Sequence, residues 1–509
     1  MSASSSEPLT VAVAAPHSDA IDAATGAVAA GGNALDAALA AAAVLTVVYP
    51  HQCSLGGDLL AVVHDGSGAA TAVLSAGAAP AAIDVATLGR DKRMPRQGPH
   101  TVTVPGAVAG WQALADLGAA LPLRSALERA RDVAAEAIVV SDGLARSLRE
   151  RREAVVGDEG LRTVFAPDGE PVAAGDIVAQ PALATTLEQL VEDPDAFYRG
   201  SVAERLVDAL RSRGGHHTAA DFADHRAVVE PALERTVHGV TWWTVPPPGP
   251  GAVFVRLLPV ALGGAGDADL LEACLVASNV RDRLLGDPRT GPIDVAALMG
   301  VGGVPSGGTV CSDDSGDTVA VTAADSAGRT VTLIQSVYQA FGSGILDPAT
   351  GIVLHNRGSA FSTDAASPAR VAPGSRPPHT LCPVVATTPT GAVALGCQGG
   401  RAQPWILAQL AADAVRDQID PAHLLDRGRW VIGSVELAQP ELTLVAEPAV
   451  DAVVDAAAAR GLPVVRHPGR YDGAGHVQLV RRIASRHGAT FDGASDPRAD
   501  GRFVVVSRS

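Results

Sequence analysis

A hydroxyl that opens a strand directly after a long polar loop can do chemistry that the same side chain elsewhere cannot. Residues 300–317 read GVGGVPSGGTVCSDDSGD, and Thr318 begins an alternating run, Thr318 to Thr322. A threonine hydroxyl is a weak nucleophile at neutral pH and needs a base. If the chain is cut between Asp317 and Thr318, the new α-amino group, with a pKa near 8, supplies that base beside the hydroxyl. The loop also reads as a plain linker, and a threonine opening a strand is ordinary in itself. Cys311, on the same loop, is a rival nucleophile, but no strand pattern follows it directly. Acyl transfer also needs donors for a developing oxyanion. Gly399-Gly400 stands between the apolar run Val393 to Cys397 and a helical pattern starting near Ala402, where backbone amides can converge on an anion.

The elements that must position these residues follow from periodicity. His17 to Ala30 and Ala34 to Val48 read as two packed helices separated by Gly31-Gly32-Asn33. Leu59 to His64 and Ala70 to Ser75 read as strands. Helices follow at Ala107 to Leu117, Ala126 to Ile138, Gly143 to Arg152, Ala182 to Val191 and Val202 to Arg213. Val237 to Val245 reads as a strand that ends in Pro246-Pro247-Pro248-Gly249-Pro250-Gly251, a rigid turn expected to be exposed. After the polar loop, Thr318 to Thr322 and Thr330 to Ser336 form a hairpin about Ser326-Ala327-Gly328. Later strands are expected at Pro383 to Thr387, Val393 to Cys397, His476 to Val480 and Arg502 to Val506, with helices at Ala402 to Val415 and Val450 to Arg460.

Composition narrows the class. The chain has 509 residues, 47% of them hydrophobic, enough for a large core, and a net charge of −16 that argues against nucleic acid or an anionic membrane as partner. Lys92 is the single lysine among many arginines, as a GC-rich coding bias would leave it. Five cysteines, Cys53, Cys274, Cys311, Cys382 and Cys397, show neither a disulfide nor a zinc spacing. His216-His217 with Asp221 and Asp224 matches no metal-ligand pattern and is assigned to the surface; no metal or cofactor is expected. His51 is a pocket-lining possibility near Gly56-Gly57. No basic segment precedes an apolar run in Met1 to Pro16, and Ala34 to Val48 is interrupted by Asp36, so a cytoplasmic protein is expected.

Taken in order, several segments resemble the gamma-glutamyltranspeptidase family of amino-terminal-nucleophile hydrolases: GGNALDAALAAAAVLTVVYPHQCSLGGD (31 to 58), VPGAVAGW (104 to 111), GDIVAQPALATTLEQL (175 to 190), DAFYRGSVAERL (195 to 206), VPPPGPG (245 to 251), GDTVAVTAADSAGRTVTLIQSVYQAFGSG (316 to 344), SRPPHTLCP (375 to 383) and GCQGGRAQP (396 to 404). The resemblance implies an α+β fold, a four-layer αββα sandwich. It implies self-cleavage into a large chain, residues 1–317, and a small chain, residues 318–509, that together form one intertwined domain; a homodimer of the processed unit stays open. Thr318 would attack the substrate carbonyl, Ser336 would orient it, and Gly399 and Gly400 would form the oxyanion hole.

The departures from the family pattern bear on substrate. Glutamyl-specific members hold the α-carboxylate with an arginine; the matching stretch here, LSAGAAP (74 to 80), puts Ala76 or Gly77 in its place. Where they hold the α-ammonium with an acidic residue and polar neighbours, this chain has Ala360, Arg357 and Tyr338. His379 and Thr380 stand where the family has two serines near the substrate. An arginine in place of a carboxylate inverts the preference, toward an acyl group with a carboxylate and no α-amine. Glutaryl amides fit, as in cephalosporin acylase relatives. So do oxalyl or 2-oxo-acid groups, whose C–C bond is cut by relatives in lincosamide and pyrrolobenzodiazepine biosynthesis. The competing class is an inactive family member that only binds.

Overall fold

The computed structural model describes residues 9–91, 93–264, 266–301, 317–434, 437, 439–486 and 488–508. Most of the polar loop 300–317, Cys311 included, lies outside them.

Two sheets face each other. The first runs, edge to edge, Arg502–Ser507, Thr10–Ala15, Asp317–Asp325, Thr330–Tyr338, Asp58–His64, Ala70–Ser75, Val228–Pro231. The second runs Gly488–Ser495, Val477–Ser485, Gly391–Cys397, Val384–Thr388, Val240–Thr244, Leu233–Val237. Alternation along each strand decides what fills each layer. From the strand Asp317–Asp325, Val319, Val321 and Ala323 join the core under the helices, while Ala320 and Ala324 enter the apolar layer between the sheets. There they meet Leu60, Val62, Ile334, Trp243 and Val385 at one end and Ala12, Ala14, Ala394 and Val480 at the other. Helices Ser18–Ala29, Ala34–Val48 and Ala107–Asp116 cover the first sheet, and Gly251–Leu262 and Gln403–Ala414 the second. The result is an α+β four-layer sandwich.

Ala34–Val48 has no exposed residue, which is why its sequence is apolar all round. Its one carboxylate, Asp36, accepts from the backbone N–H groups of Asn33, Ala120 and Leu121 at 2.7–2.9 Å, so the charge terminates the helix and is satisfied there. No helix among the described residues is long and apolar enough to cross a membrane.

Three expectations are corrected. Val237 to Val245 is not one strand: His238 and Gly239, both with positive φ, turn the chain between Leu233–Val237 and Val240–Thr244. The proline turn is buried from Pro247 to Gly251, because it packs beneath Leu60 and its Pro248 carbonyl accepts from the His379 N–H at 2.8 Å. His217 is not a surface residue. It is buried, with Nε2 2.9 Å from the Val102 carbonyl. Thr10–Ala15, the second strand from one edge of the first sheet, is an apolar run buried from Val11 onward.

Close approach of the sheets sets the geometry of everything at their ends. Gly396 faces the layer between them, and a Cβ there would lie 2.8 Å from Thr332 Cγ2 and 3.2 Å from Ala320 Cβ. In a Thr318→Ala background, Gly396→Val should lower stability by about 1–3 kcal/mol. A denaturant midpoint unchanged from the background protein would contradict this packing.

Candidate active site

Thr318 is buried on the inner face of the central strand Asp317–Asp325. Its neighbour Thr330–Tyr338 pairs regularly as far as Gln335↔Val319, then shifts so that Tyr338 pairs with Asp317. Two residues, Ser336 and Val337, therefore face one, Thr318. This is a β-bulge, and it swings the Ser336 side chain alongside Thr318. The Ser336 Oγ accepts from Thr318 Oγ1 at 3.0 Å and from the Tyr338 N–H at 2.7 Å, and donates to the carbonyl oxygen of Asp317 at 2.6 Å. A single hydroxyl thus joins the nucleophile to the carbonyl of the bond that precedes it. Tyr338 closes the bulge with φ +80°, a strained value for a residue with a side chain.

On its other edge Ser336 pairs with Asp58, a fully buried residue that sequence reasoning missed. Its Oδ1 accepts from Gly77 and Gly106 N–H groups, each at 3.2 Å. Its Oδ2 lies 3.4 Å from both His355 Nδ1 and His379 Nε2. Burial would raise this carboxyl, but the two imidazoles outweigh it and hold Asp58 far below the usual carboxylate range. Burial, then Arg357, pushes His379 down, so it is neutral. Its Nδ1 accepts from the N–H groups of Thr380 and Leu381, which leaves the proton on Nε2, facing Asp58. A carboxylate opening the otherwise apolar strand DLLAVVH was the available signal; its histidine partners are some three hundred residues away.

The structure brings Arg357, Tyr338, Thr380 and His379 together. Arg357 is wholly buried, its guanidinium carbon 3.7 Å from the Tyr338 ring centroid and its Nη1 donating to Thr380 Oγ1 at 3.0 Å. It is placed by the segment after Ile352–Leu354: His355 N–H donates to the Gly56 carbonyl, and Asn356 N–H to that of Val337. Tyr338 and Ala360 line a cavity of about 430 Å³, whereas Arg357, His379 and Thr380 do not. The arginine expected in the open pocket stands behind the Tyr338 ring. At Gly77, one of the two positions that match the arginine of glutamyl-specific relatives, a Cβ would lie 1.5 Å from the Val104 carbonyl oxygen, so no side chain fits there.

Gly399 and Gly400 have φ of +142° and +51°, and a Cβ on Gly399 would meet Ile406 Cδ1 at 2.5 Å. The strand Gly391–Cys397 runs antiparallel over the nucleophile strand, Ala394 packing in one cluster with Ala324, and Gly396 against Ala320. It thereby delivers the turn toward the Thr318 end. Gln403, which opens the next helix, accepts from the Cys382 N–H at 2.8 Å and ties the turn to the His379–Thr380 loop. His51 lines no cavity described here. It is fully buried against Tyr49, and neither ring nitrogen has a hydrogen-bond partner among the described residues. No cluster of three or more metal-ligating side chains occurs among the described residues.

A four-layer αββα sandwich with a hydroxyl at the head of a central strand defines the amino-terminal-nucleophile hydrolase class. Within it, the gamma-glutamyltranspeptidase family model matches residues 20–300 and 305–506, and the chain belongs to that family. It is an enzyme of the hydrolase and acyltransferase type, acting on acyl bonds. It is 34% identical to an oxamate amidohydrolase proenzyme of Klebsiella pneumoniae subsp. pneumoniae, over 82% of this chain and 84% of that one. It is 28% identical to a glutathione hydrolase-like YwrD proenzyme of Bacillus subtilis, over 94% of each. A cephalosporin acylase from Bacillus halodurans superposes with a TM-score of 0.86 at 27% identity, covering 98% of this chain and 96% of that one.

Asp317 titrates unusually. Burial raises its carboxyl to about 6, against Arg151 and His476, which act to lower it. Its charge therefore opposes folding of the uncut chain. Its contribution to stability is fully present below pH 4, where the unfolded carboxyl is also protonated, and is lost as pH rises to about 6. The stability difference between Thr318→Ala and Thr318→Ala with Asp317→Asn, read from thermal unfolding, should shift against Thr318→Ala as pH rises across this range; parallel curves for the two would exclude it.

Proposed function

We propose that the chain is a self-processing hydrolase that uses Thr318 to cleave an acyl bond in a small substrate whose acyl group carries a carboxylate and no α-amine, and that glutathione is not that substrate. The observation that carries this reading is the Ser336 hydroxyl held between Thr318 Oγ1 and the Asp317 carbonyl. In the first step Thr318 Oγ1 bonds to the Asp317 carbonyl carbon, and Ser336 donates to the oxygen on which charge accumulates. The Asp317–Thr318 C–N bond breaks, the hydroxyl proton passing to the departing nitrogen. Water then hydrolyses the ester, leaving Asp317 as a carboxyl terminus and Thr318 with a free amine. That amine takes the hydroxyl proton when Thr318 attacks substrate, with the Gly399 and Gly400 amides as oxyanion donors. The proenzyme names of the relatives support processing of a precursor.

Arg357, with Thr380 fixing one of its nitrogens, is assigned the substrate carboxylate, which requires the Tyr338 ring to move aside. Ala360 leaves no carboxylate for an ammonium. The relative that acts on oxamate favours an oxalyl-type acyl group, in which the carboxylate adjoins the reacting carbonyl. The same acyl group would serve a C–C hydrolase that removes an oxalyl or 2-oxo-acid unit in alkyl-proline antibiotic biosynthesis. That is the second reading, and a cytoplasmic site of action accompanies it.

On denaturing electrophoresis the purified protein should resolve into two chains, the smaller starting at Thr318 by amino-terminal sequencing. Thr318→Ala should remain whole, and a wild-type chain still whole after long incubation would sink the mechanism. Arg357→Lys loses the planar fork and should raise KM for glutaryl or oxalyl anilides about tenfold. Equal turnover of gamma-glutamyl and glutaryl anilides by the wild type would refute the inverted preference.

A further inference from the structure

The cavity of about 430 Å³ beside Tyr338 is larger than a two-carbon or five-carbon acyl group requires. Its charge runs against that of the molecule. Among the described residues Arg93, Arg96, Arg281 and Arg401 line it, with Asp282 and Asp364 as the acidic side chains, in a chain whose net charge is −16. The arginines come from three separate places in the fold: the segment before the 3-10 turn Pro99–Thr101, the last turn of helix Asp267–Leu284, and the residue following Gly400. Arg401 is paired with Asp282. Arg281 is buried, and its guanidinium donates to two backbone carbonyls, those of Arg401 at 3.0 Å and His379 at 3.1 Å. Backbone carbonyls accept these hydrogen bonds, and the Asp282 carboxylate acts on the charge from beside it. Burial, then Arg401, lowers its pKa only to about 9, so it is cationic at neutral pH. The cavity also adjoins both halves of the reaction site. Tyr338 and Ala360 belong to the acyl side, and Arg401 follows the oxyanion turn directly.

We propose that this cavity is a second anion subsite and that the enzyme's substrate is at least a dianion, with one carboxylate at Arg357 and a second anionic group among Arg93, Arg96, Arg281 and Arg401. The inference rests on the acyl-carboxylate reading given above and extends it from the acyl group to the remainder of the molecule. A focused positive field inside an acidic protein selects for charge number in a way that a single buried arginine cannot.

Affinity for free acids tests the subsite apart from turnover. Calorimetric titration of the processed protein with glutarate and with tricarballylate, the same five-carbon dicarboxylate bearing a third carboxyl, compares ligands that differ by one anionic group. Tricarballylate should bind about tenfold more tightly, and the gap should narrow at high salt. It should close in Arg93→Glu, a reversal at an exposed rim position whose folding is checked by normal self-cleavage. Equal affinities in the wild type, or a gap that persists in both Arg93→Glu and Arg96→Glu, would overturn the subsite. Turnover of glutaryl 4-nitroanilide, measured in parallel, reports on the acyl reading separately. Turnover without an affinity gap removes only the second anion, and a gap without turnover removes only the acyl reading.

Discussion

The site depends on one irregularity in a ladder. Had Thr330–Tyr338 continued in register past Gln335, Ser336 would sit opposite Thr318 and not beside the peptide bond that precedes it. The extra residue at the bulge turns a structural serine into a hydroxyl with three fixed contacts: two donors reach its oxygen and its own proton rests on a carbonyl. That carbonyl is therefore polarised before anything happens to it, and the neighbouring hydroxyl is fixed in the place from which it can attack. The strained Tyr338 is the local cost of the arrangement. Its backbone N–H anchors the serine and its ring covers the arginine, so a single residue serves the nucleophile and the pocket.

Charge is handled in two ways around this hydroxyl. Close to it, Asp58 is ionised but wholly enclosed, held by two backbone amides and two imidazoles, and it orients His379 and hence the loop that bears Thr380. Such a carboxylate gives rigidity; with every partner removed from water, none of them can turn. Farther out, beyond Tyr338, Arg93, Arg96, Arg281 and Arg401 line a cavity, with Arg401 paired to Asp282 and Arg281 buried against backbone carbonyls.

Much of this was legible in the sequence, and the reasons are physical. Ala34–Val48 and Ala70–Ser75 were read with the boundaries they have, because glycine and asparagine stops and strict periodicity mark those ends. The nucleophile hairpin was legible because alternation and a glycine turn are local signals. The bulge was not, since nothing in Gln335-Ser336-Val337-Tyr338 says that two residues will oppose one. The proline turn was misjudged as exposed because proline reports a break in hydrogen bonding, not the side on which the break lies. Asp58 and His217 were missed or misplaced for a shared reason: their partners are distant in the chain, and a buried polar residue looks like a surface one until its partner is found. Arg357 packs against Tyr338 and Thr380, and its concealment behind an aromatic ring belongs to tertiary packing alone.

The order of strands in the first sheet has a consequence for the molecule's history. Thr10–Ala15 lies between Arg502–Ser507 and Asp317–Asp325, and Thr330–Tyr338 lies between Asp317–Asp325 and Asp58–His64. Segments from before and after residue 317 therefore alternate as neighbours, and no cut there can release one part without tearing ladder hydrogen bonds on both sides. Before such a cut, refolding is a first-order event. Afterwards it is second-order, since two separate polypeptides must find each other and interleave, at a rate set by their concentration. A molecule that makes its catalytic amine this way gives up the route by which it was formed, and its lifetime is then governed by the barrier to unfolding and no longer by an equilibrium.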